Sequence, residues 1–299
     1  MARDPARAQP SEGESTTVET NGVRLHVVRL GPADGPPVVL LHGFPEFWYG
    51  WSDVARRLAD AGYRVLVPDQ RGYNDSEKPS GVAAYRLPEL AADVTGLLDA
   101  ESIETAHVVG HDWGAAVAWW VALDHADRVA TLTAVNVPHP TVMARTLRRS
   151  WDQRRRSWYM AGVQLPVVPE LVVRATDWRL FERTMRESSR PDTFDDRDFD
   201  RYRAAWRKPG ALTATLHWYR AVGRYPPPER TDPVTPPTLV LWGARDRFLR
   251  QSMARESVAY CRRGRSVLLD AATHWIHHEF PEQVSDHLQE QFERAERSG

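Results

Sequence analysis

The pentapeptide Gly110-His111-Asp112-Trp113-Gly114 constrains this chain more than any other stretch. The run before it, Ala106-His107-Val108-Val109, predicts a short buried strand, and the run after it, Ala115-Ala116-Val117-Ala118-Trp119-Trp120, predicts a helix. Strand, sharp turn and helix, with glycines flanking an exposed central residue, is the spacing of a nucleophile elbow. Serine is usual at the centre; here it is Asp112. The residue type selects the chemistry. A serine attacking an alkyl carbon would leave an ether that water cannot cleave. An aspartate attacking the same carbon leaves an ester whose carbonyl belongs to the protein, so water can complete a cycle. The elbow therefore points to displacement at saturated carbon, as in opening an epoxide or a carbon–halogen bond.

The rest of the chain supplies the sheet that such a turn requires. Val38-Val39-Leu40-Leu41, Val65-Leu66-Val67, Val108-Val109, Leu132 to Val135, Leu239-Val240-Leu241 and Val267-Leu268-Leu269 are expected as buried strands, with Val23 to Leu30 an earlier, half-exposed hairpin strand. Leu87, Leu90, Val94, Leu97 and Leu98 recur at helical spacing, with Pro88 tolerable only in a first turn, and Val284, Leu288 and Phe292 mark a closing helix. Strands alternating with helices predict an α/β fold with a mostly parallel sheet covered on both faces. The alternation stops after Asn136-Val137-Pro138-His139-Pro140 and resumes at Pro237. Residues 139–232, rich in tryptophan and arginine, are expected as an inserted helical cap. The core is then split into 16–138 and 233–299, after a disordered tail over 1–15.

Bulk properties exclude several classes. A net charge of −1 over 299 residues gives no field for nucleic acid or an anionic membrane, and Arg154-Arg155-Arg156 is expected as a solvated helix face. No apolar run approaches a membrane span and no signal-peptide pattern opens the chain. The single cysteine, Cys261, excludes an internal disulfide framework, fits a reducing cytoplasm and is expected to be inert.

Three further segments fall where an elbow nucleophile needs them. Asp246 follows the apolar run ending at Gly243, and His274 follows the run ending at Leu269. The order Asp112, Asp246, His274 is nucleophile, acid, base: His274 would deprotonate water while Asp246 holds its ring. His42-Gly43-Phe44-Pro45 after the first parallel strand can aim the Phe44 N–H, with that of Trp113, at one point as an oxyanion hole. Glu46 either orders the hydrolytic water or caps the next helix. His277 and His278, beside His274, suggest a metal cluster only superficially, because no matching carboxylate motif accompanies them, and are expected as loop or helix-start residues. His42 and His111 are expected to orient loops.

Taken together, His42-Gly43-Phe44-Pro45-Glu46, Asp69-Gln70-Arg71-Gly72-Tyr73, Gly110-His111-Asp112-Trp113-Gly114 and Thr273-His274-Trp275 resemble the soluble epoxide hydrolases of the α/β-hydrolase superfamily. The match runs from about residue 16 to 295. The resemblance implies two tyrosines in the cap that polarise the epoxide oxygen. These are Tyr159, five residues before Gln164, and Tyr219 within Trp218-Tyr219-Arg220. It implies a pocket touching His42, Pro45, Trp218 and Trp275, an apolar or aromatic epoxide as substrate, no metal or organic cofactor, and a monomer or homodimer. Asn74 departs from the pattern, standing where the family often has a second glycine. Haloalkane dehalogenases share the aspartate but commonly carry an Asn one residue after the His-Gly pair, where this chain has Phe44. Fluoroacetate dehalogenases typically carry an arginine after the nucleophile, where this chain has Trp113. A binding protein that keeps the pocket without turnover is the rival of another class.

Overall fold

Neighbouring residues of a strand point to opposite faces, and in this chain both sets are apolar. In the computed structural model, which describes residues 13–297, Val38 and Leu40 pack on one side of the sheet and Val39 and Leu41 on the other. The strands are β1 (Glu14–Thr20), β2 (Val23–Leu30), β3 (Pro37–Leu41), β4 (Arg64–Pro68), β5 (Ala106–His111), β6 (Val129–Val135), β7 (Thr238–Gly243) and β8 (Gly264–Leu269). They form one eight-stranded sheet in the order β1-β2-β4-β3-β5-β6-β7-β8. The first two pairings, β1 with β2 and β2 with β4, are antiparallel; from β4 onward every pairing is parallel.

The covering helices follow from the connections between parallel strands. They are α1 (Ser52–Asp60), α2 (Leu87–Ala100) and α3 (Trp113–Asp124) in the first half of the chain. Between β6 and β7 come α4 (Pro140–Arg149), α5 (Trp151–Arg156), α6 (Trp158–Val163), α7 (Val168–Ala175), α8 (Arg179–Ser188), α9 (Asp196–Trp206) and α10 (Ala211–Arg224). The chain closes with α11 (Ser252–Val258), α12 (Ile276–Glu279) and α13 (Pro281–Glu296). Helices α1 and α13 cover one face through Val54, Leu58, Val284, Leu288 and Phe292; α2, α3 and α11 cover the other. The inserted helices have a core of their own, in which Met185, Phe199, Tyr202, Trp206 and Leu216 meet Phe47 and Trp275 from the α/β core. None of the described helices is long and apolar enough to cross a membrane.

Two expectations change. Strand β1 begins at Glu14, inside the stretch expected as tail, because Ser15 to Thr20 pair with β2 in register, Thr17 opposite His26. Residues 1–12 lie outside the described residues. Strand β8 is not buried: it is the sheet edge, and Leu268 is 46 % exposed. An apolar run reports only that a strand packs somewhere, not that it packs on both faces.

The elbow is dictated by close approach. A Cβ on Gly110 would lie 2.2 Å from the Gly114 carbonyl oxygen, and one on Gly114 would lie 2.2 Å from that of Leu41. Asp112 between them sits at φ 49°, ψ −121°, a strained conformation for a side-chain-bearing residue. Gly162, by contrast, has nothing within 4 Å of an added Cβ. Gly110→Ala should therefore lose about 3 kcal/mol or more in urea unfolding, whereas Gly162→Ala, inside helix α6, should be neutral or gain up to about 1 kcal/mol. Equal effects from the two would contradict the packing account.

Candidate active site

The turn after β5 lifts the Asp112 side chain toward the ends of three other strands. Its Oδ1 accepts a hydrogen bond from the Phe44 N–H at 2.9 Å, across the loop that follows β3. Its Oδ2 faces His274 Nε2 at 3.6 Å, an ion-pair separation longer than a hydrogen bond. The Trp113 N–H lies in the first turn of α3, where no preceding turn offers a carbonyl partner. His274, in the loop after β8, places Nδ1 2.8 Å from Asp246 Oδ2.

Asp246 is held from four sides. Its Oδ1 accepts the N–H groups of Phe248 and Leu249 at 2.7 and 3.0 Å, and its Oδ2 accepts Asn136 Nδ2–H at 2.7 Å besides the imidazole. Asn136 was legible only as the residue where the strand pattern breaks. It adopts φ 56°, accepts the Gly243 N–H on Oδ1 at 3.1 Å, and so ties the ends of β6 and β7 to the acid. An Asn directly after a strand, in the left-handed region that Asn tolerates, was the available signal.

The charges are strongly coupled. Burial alone would raise the Asp112 carboxyl, but His274, His111 and the Phe44 N–H outweigh it and hold it below the usual carboxylate range. Burial alone would lower His274; Asp246 and Asp112 together push it up to about 10. The resting arrangement is thus an imidazolium between two carboxylates. Burial and the nearby Asp112 carboxylate push Tyr159 up. Burial, Tyr159 and Asp112 do the same to Tyr219. Both phenols therefore carry their protons at neutral pH.

The two tyrosines come from different helices, α6 and α10, yet their rings meet edge to face at 6.0 Å. Tyr219 also packs against Trp113 at 4.9 Å and Phe44 at 5.3 Å. A clamp sets this register. Arg220, next to Tyr219, donates to the carbonyls of Val163 and Leu165 at 3.0 and 2.9 Å and pairs with buried Glu170 at 2.6 Å. Gln164 Nε2 donates to the Tyr219 carbonyl at 2.9 Å, passing over Gly223, where a Cβ would lie 2.4 Å from its oxygen.

The four residues expected to touch substrate make mostly protein contacts. His42 is fully buried and neutral: burial lowers it, Nδ1–H faces the Gly43 carbonyl, and Nε2 accepts the Gln70 N–H at 3.0 Å. The Pro45 carbonyl accepts the Trp206 indole N–H at 2.6 Å. Trp218 stands behind Trp113 and donates to the Arg71 carbonyl at 3.0 Å. Trp275 packs beside His274 and donates to Ser188 Oγ at 2.8 Å, pinning α8 to the core. Asn74 takes φ 36° and donates to Asp69 Oδ2 at 2.8 Å, so an asparagine serves the turn without glycine.

Glu46 caps no helix. Its buried carboxylate lies against His111 Nδ1 at 3.0 Å, His278 Nε2 at 2.6 Å and His277 Nε2 at 3.2 Å, and accepts from Tyr202 Oη at 3.2 Å. Burial would raise it, but those neighbours hold it well below the usual range. His111 Nε2 continues to the His274 carbonyl at 2.9 Å. Glu46, His111 and His277 have ligand-type atoms within 4.8 Å of one another, so the carboxylate that the sequence did not place beside the histidines is Glu46. Cys261 is remote from this site, and burial pushes its thiol up to about 11.

An aspartate on an elbow, faced by a His–Asp pair and two protonated phenols, defines a hydrolytic site of the α/β type, and similarity to known proteins agrees. Residues 36–281 match the α/β hydrolase fold family. The chain is 46 % identical to the AB hydrolase superfamily protein YfhM of Bacillus subtilis, over 88 % of this chain and 92 % of that protein. It is 36 % identical to epoxide hydrolase A of Mycobacterium tuberculosis, over 91 % of this chain and 95 % of that one. The crystal structure of Bacillus megaterium epoxide hydrolase in complex with an inhibitor superposes with a TM-score of 0.85 at 25 % identity, covering 93 % of this chain and all of the other. The chain belongs to the α/β-hydrolase family, within its epoxide hydrolase group.

The His274 environment has a consequence for stability. Its folded value of about 10 lies above the ordinary 6.5, so the stabilisation it contributes is fully present below pH 6.5 and is lost as pH rises toward 10. Urea unfolding at pH 6.5 and 9.5 should show the protein weakening, and His274→Gln should flatten that slope. An unchanged slope in the variant would remove His274 as its source.

Proposed function

We propose that this protein opens an apolar or aromatic epoxide to a vicinal diol in two steps, through an ester on Asp112. One observation carries the reading: a single carboxylate faces paired phenol donors from α6 and α10 as well as the Asp246–His274 pair. The aromatic neighbours Phe44, Trp113 and Phe248 support the choice of substrate.

The assignment of atoms follows from the hydrogen bonds. Oδ1 already rests on the Phe44 N–H, so Oδ2 is the attacking oxygen. It forms a bond to one epoxide carbon as the carbon–oxygen bond of the ring breaks, and the departing oxygen takes a proton from Tyr159 or Tyr219. The elbow's position at the start of α3 favours the carboxylate. Esterification then removes one of the two negative charges that hold the His274 proton. The imidazole value falls, its proton passes through solvent to the tyrosinate left by the first step, and His274 becomes a base in the state that needs one. Water adds to the ester carbonyl, passing its proton to His274, while the Phe44 and Trp113 N–H groups hold the oxygen at Oδ1. The Cγ–Oδ2 bond then breaks, the leaving oxygen takes the proton from His274 and departs as the diol, and the new Asp112 carboxyl, which keeps the oxygen of the water, returns its proton to His274. No metal or organic cofactor enters these steps. In this scheme residues 139–232 act as the cap that carries both tyrosines, and 16–138 with 233–299 as the core. The scheme suits a cytoplasmic enzyme, a monomer or homodimer.

Asp112→Ala should abolish diol formation from aryl and alkyl epoxides. His274→Gln should accumulate a covalent adduct, with the mass of protein plus epoxide, that intact mass spectrometry detects; its absence would rule out the ester route. Each single Tyr→Phe change at 159 or 219 should retain more turnover than the double change, because one donor remains. Total loss from each single change would argue against shared protonation.

A further inference from the structure

The net charge of −1 conceals an uneven distribution: residues 140–190 carry eleven arginines, no lysine and only five acidic residues. The same region holds eight of the ten large hydrophobic side chains that stand exposed among the described residues, each 41 to 74 % exposed. Helical spacing gathers both kinds together. On α7, Val168, Leu171 and Val172 lie three and four residues apart on one outward face, with Leu165 in the turn ahead and exposed Arg174 three residues beyond Leu171. On α5, Gln153 is the buried face, while Trp151, Arg154 and Arg155 point outward. The Arg154 guanidinium lies 5.6 Å over the Trp151 ring. Arg149, Arg154, Arg155, Arg174 and Arg179 are exposed and make no ion pair among the described residues.

We propose that the outer face of α5 to α7 docks on an anionic lipid surface, its tryptophan and aliphatic side chains entering the headgroup boundary and its arginines meeting lipid phosphates. An exposed apolar face on this scale needs cover, and tryptophan with leucine and valine, flanked by arginine, is the composition that an interface of water and lipid rewards. A second copy of the chain fits less well, because a two-fold contact would set the same arginine-rich face against itself. Trp158 is exposed on the helix whose next residue, Tyr159, faces the site. If the epoxide reading holds, an apolar epoxide dissolved in lipid reaches the site from the side that docks. That corollary rests on the proposed function; the docking does not.

The test is co-sedimentation of the full chain with vesicles of phosphatidylcholine alone or enriched in phosphatidylglycerol. Binding should be at least about tenfold stronger on the anionic vesicles and should weaken as salt screens it. Val168→Glu with Leu171→Glu, and separately Arg154→Gln with Arg155→Gln, should each cut binding at least about fivefold, with turnover of a water-soluble epoxide unchanged. No association with either vesicle overturns the proposal. So does equal binding to both, or a concentration-dependent dimer that the Val168→Glu, Leu171→Glu variant abolishes, which would assign the face to a second copy. Sedimentation reports on docking and diol formation on the epoxide reading, so either failure is recognised separately.

Discussion

Everything in the site hangs on one crowded backbone crossing. Strand β5 ends where helix α3 begins, and three glycines at that crossing have no room for a side chain: Gly110 against Gly114, Gly114 against Leu41, and Gly43 against Asp112 itself, where an added Cβ would lie 2.3 Å from the Asp112 Cβ. The crossing forces Asp112 into a positive φ and thereby presents its carboxylate to the loops after β3 and β8 together. The strain is local and is sustained by a parallel sheet whose flanking strands are buried on both faces.

The second constraint is electrostatic. Asp112, His274 and the two phenols are buried together beside Asp246, so their protons are not held independently. This coupling ties the proton on His274 to the charges of Asp246 and Asp112. The Glu46 cluster lies directly behind His274, joining Tyr202 of α9 and His278 of α12 to His111, the residue before Asp112. The inserted helices therefore touch the α/β core through polar bonds as well as through Trp275 and Phe47.

Local signals in the sequence carried the sheet and the positions of Asp112, Asp246 and His274, which the fold brings together. Each sits at the end of an apolar run, and a short strand that must turn sharply leaves a glycine-marked trace. What stayed hidden depends on contacts between distant segments. Glu46 reads as either a residue ordering water or a helix cap, and only the fold brings His277 and His278, more than 200 residues away, onto its oxygens. The partners of the Trp218 and Trp275 indole N–H groups, the Arg71 carbonyl and Ser188 Oγ, likewise lie on segments that only the fold brings near. Leu268 reads as core because strand order, and hence which strand is the edge, is not written in any one segment.

Asn136 has one further implication. It is the last residue before the chain leaves the sheet for the inserted helices, and its side chain fastens β6 to β7 across the gap that those helices bridge. The exit of the excursion is thus fixed beside the far end of β7, while its return enters that parallel strand at the other end, and the same side chain holds Asp246. The departure of the inserted helices and the position of Asp246 are therefore set by one side chain, so a change at Asn136 would disturb both together.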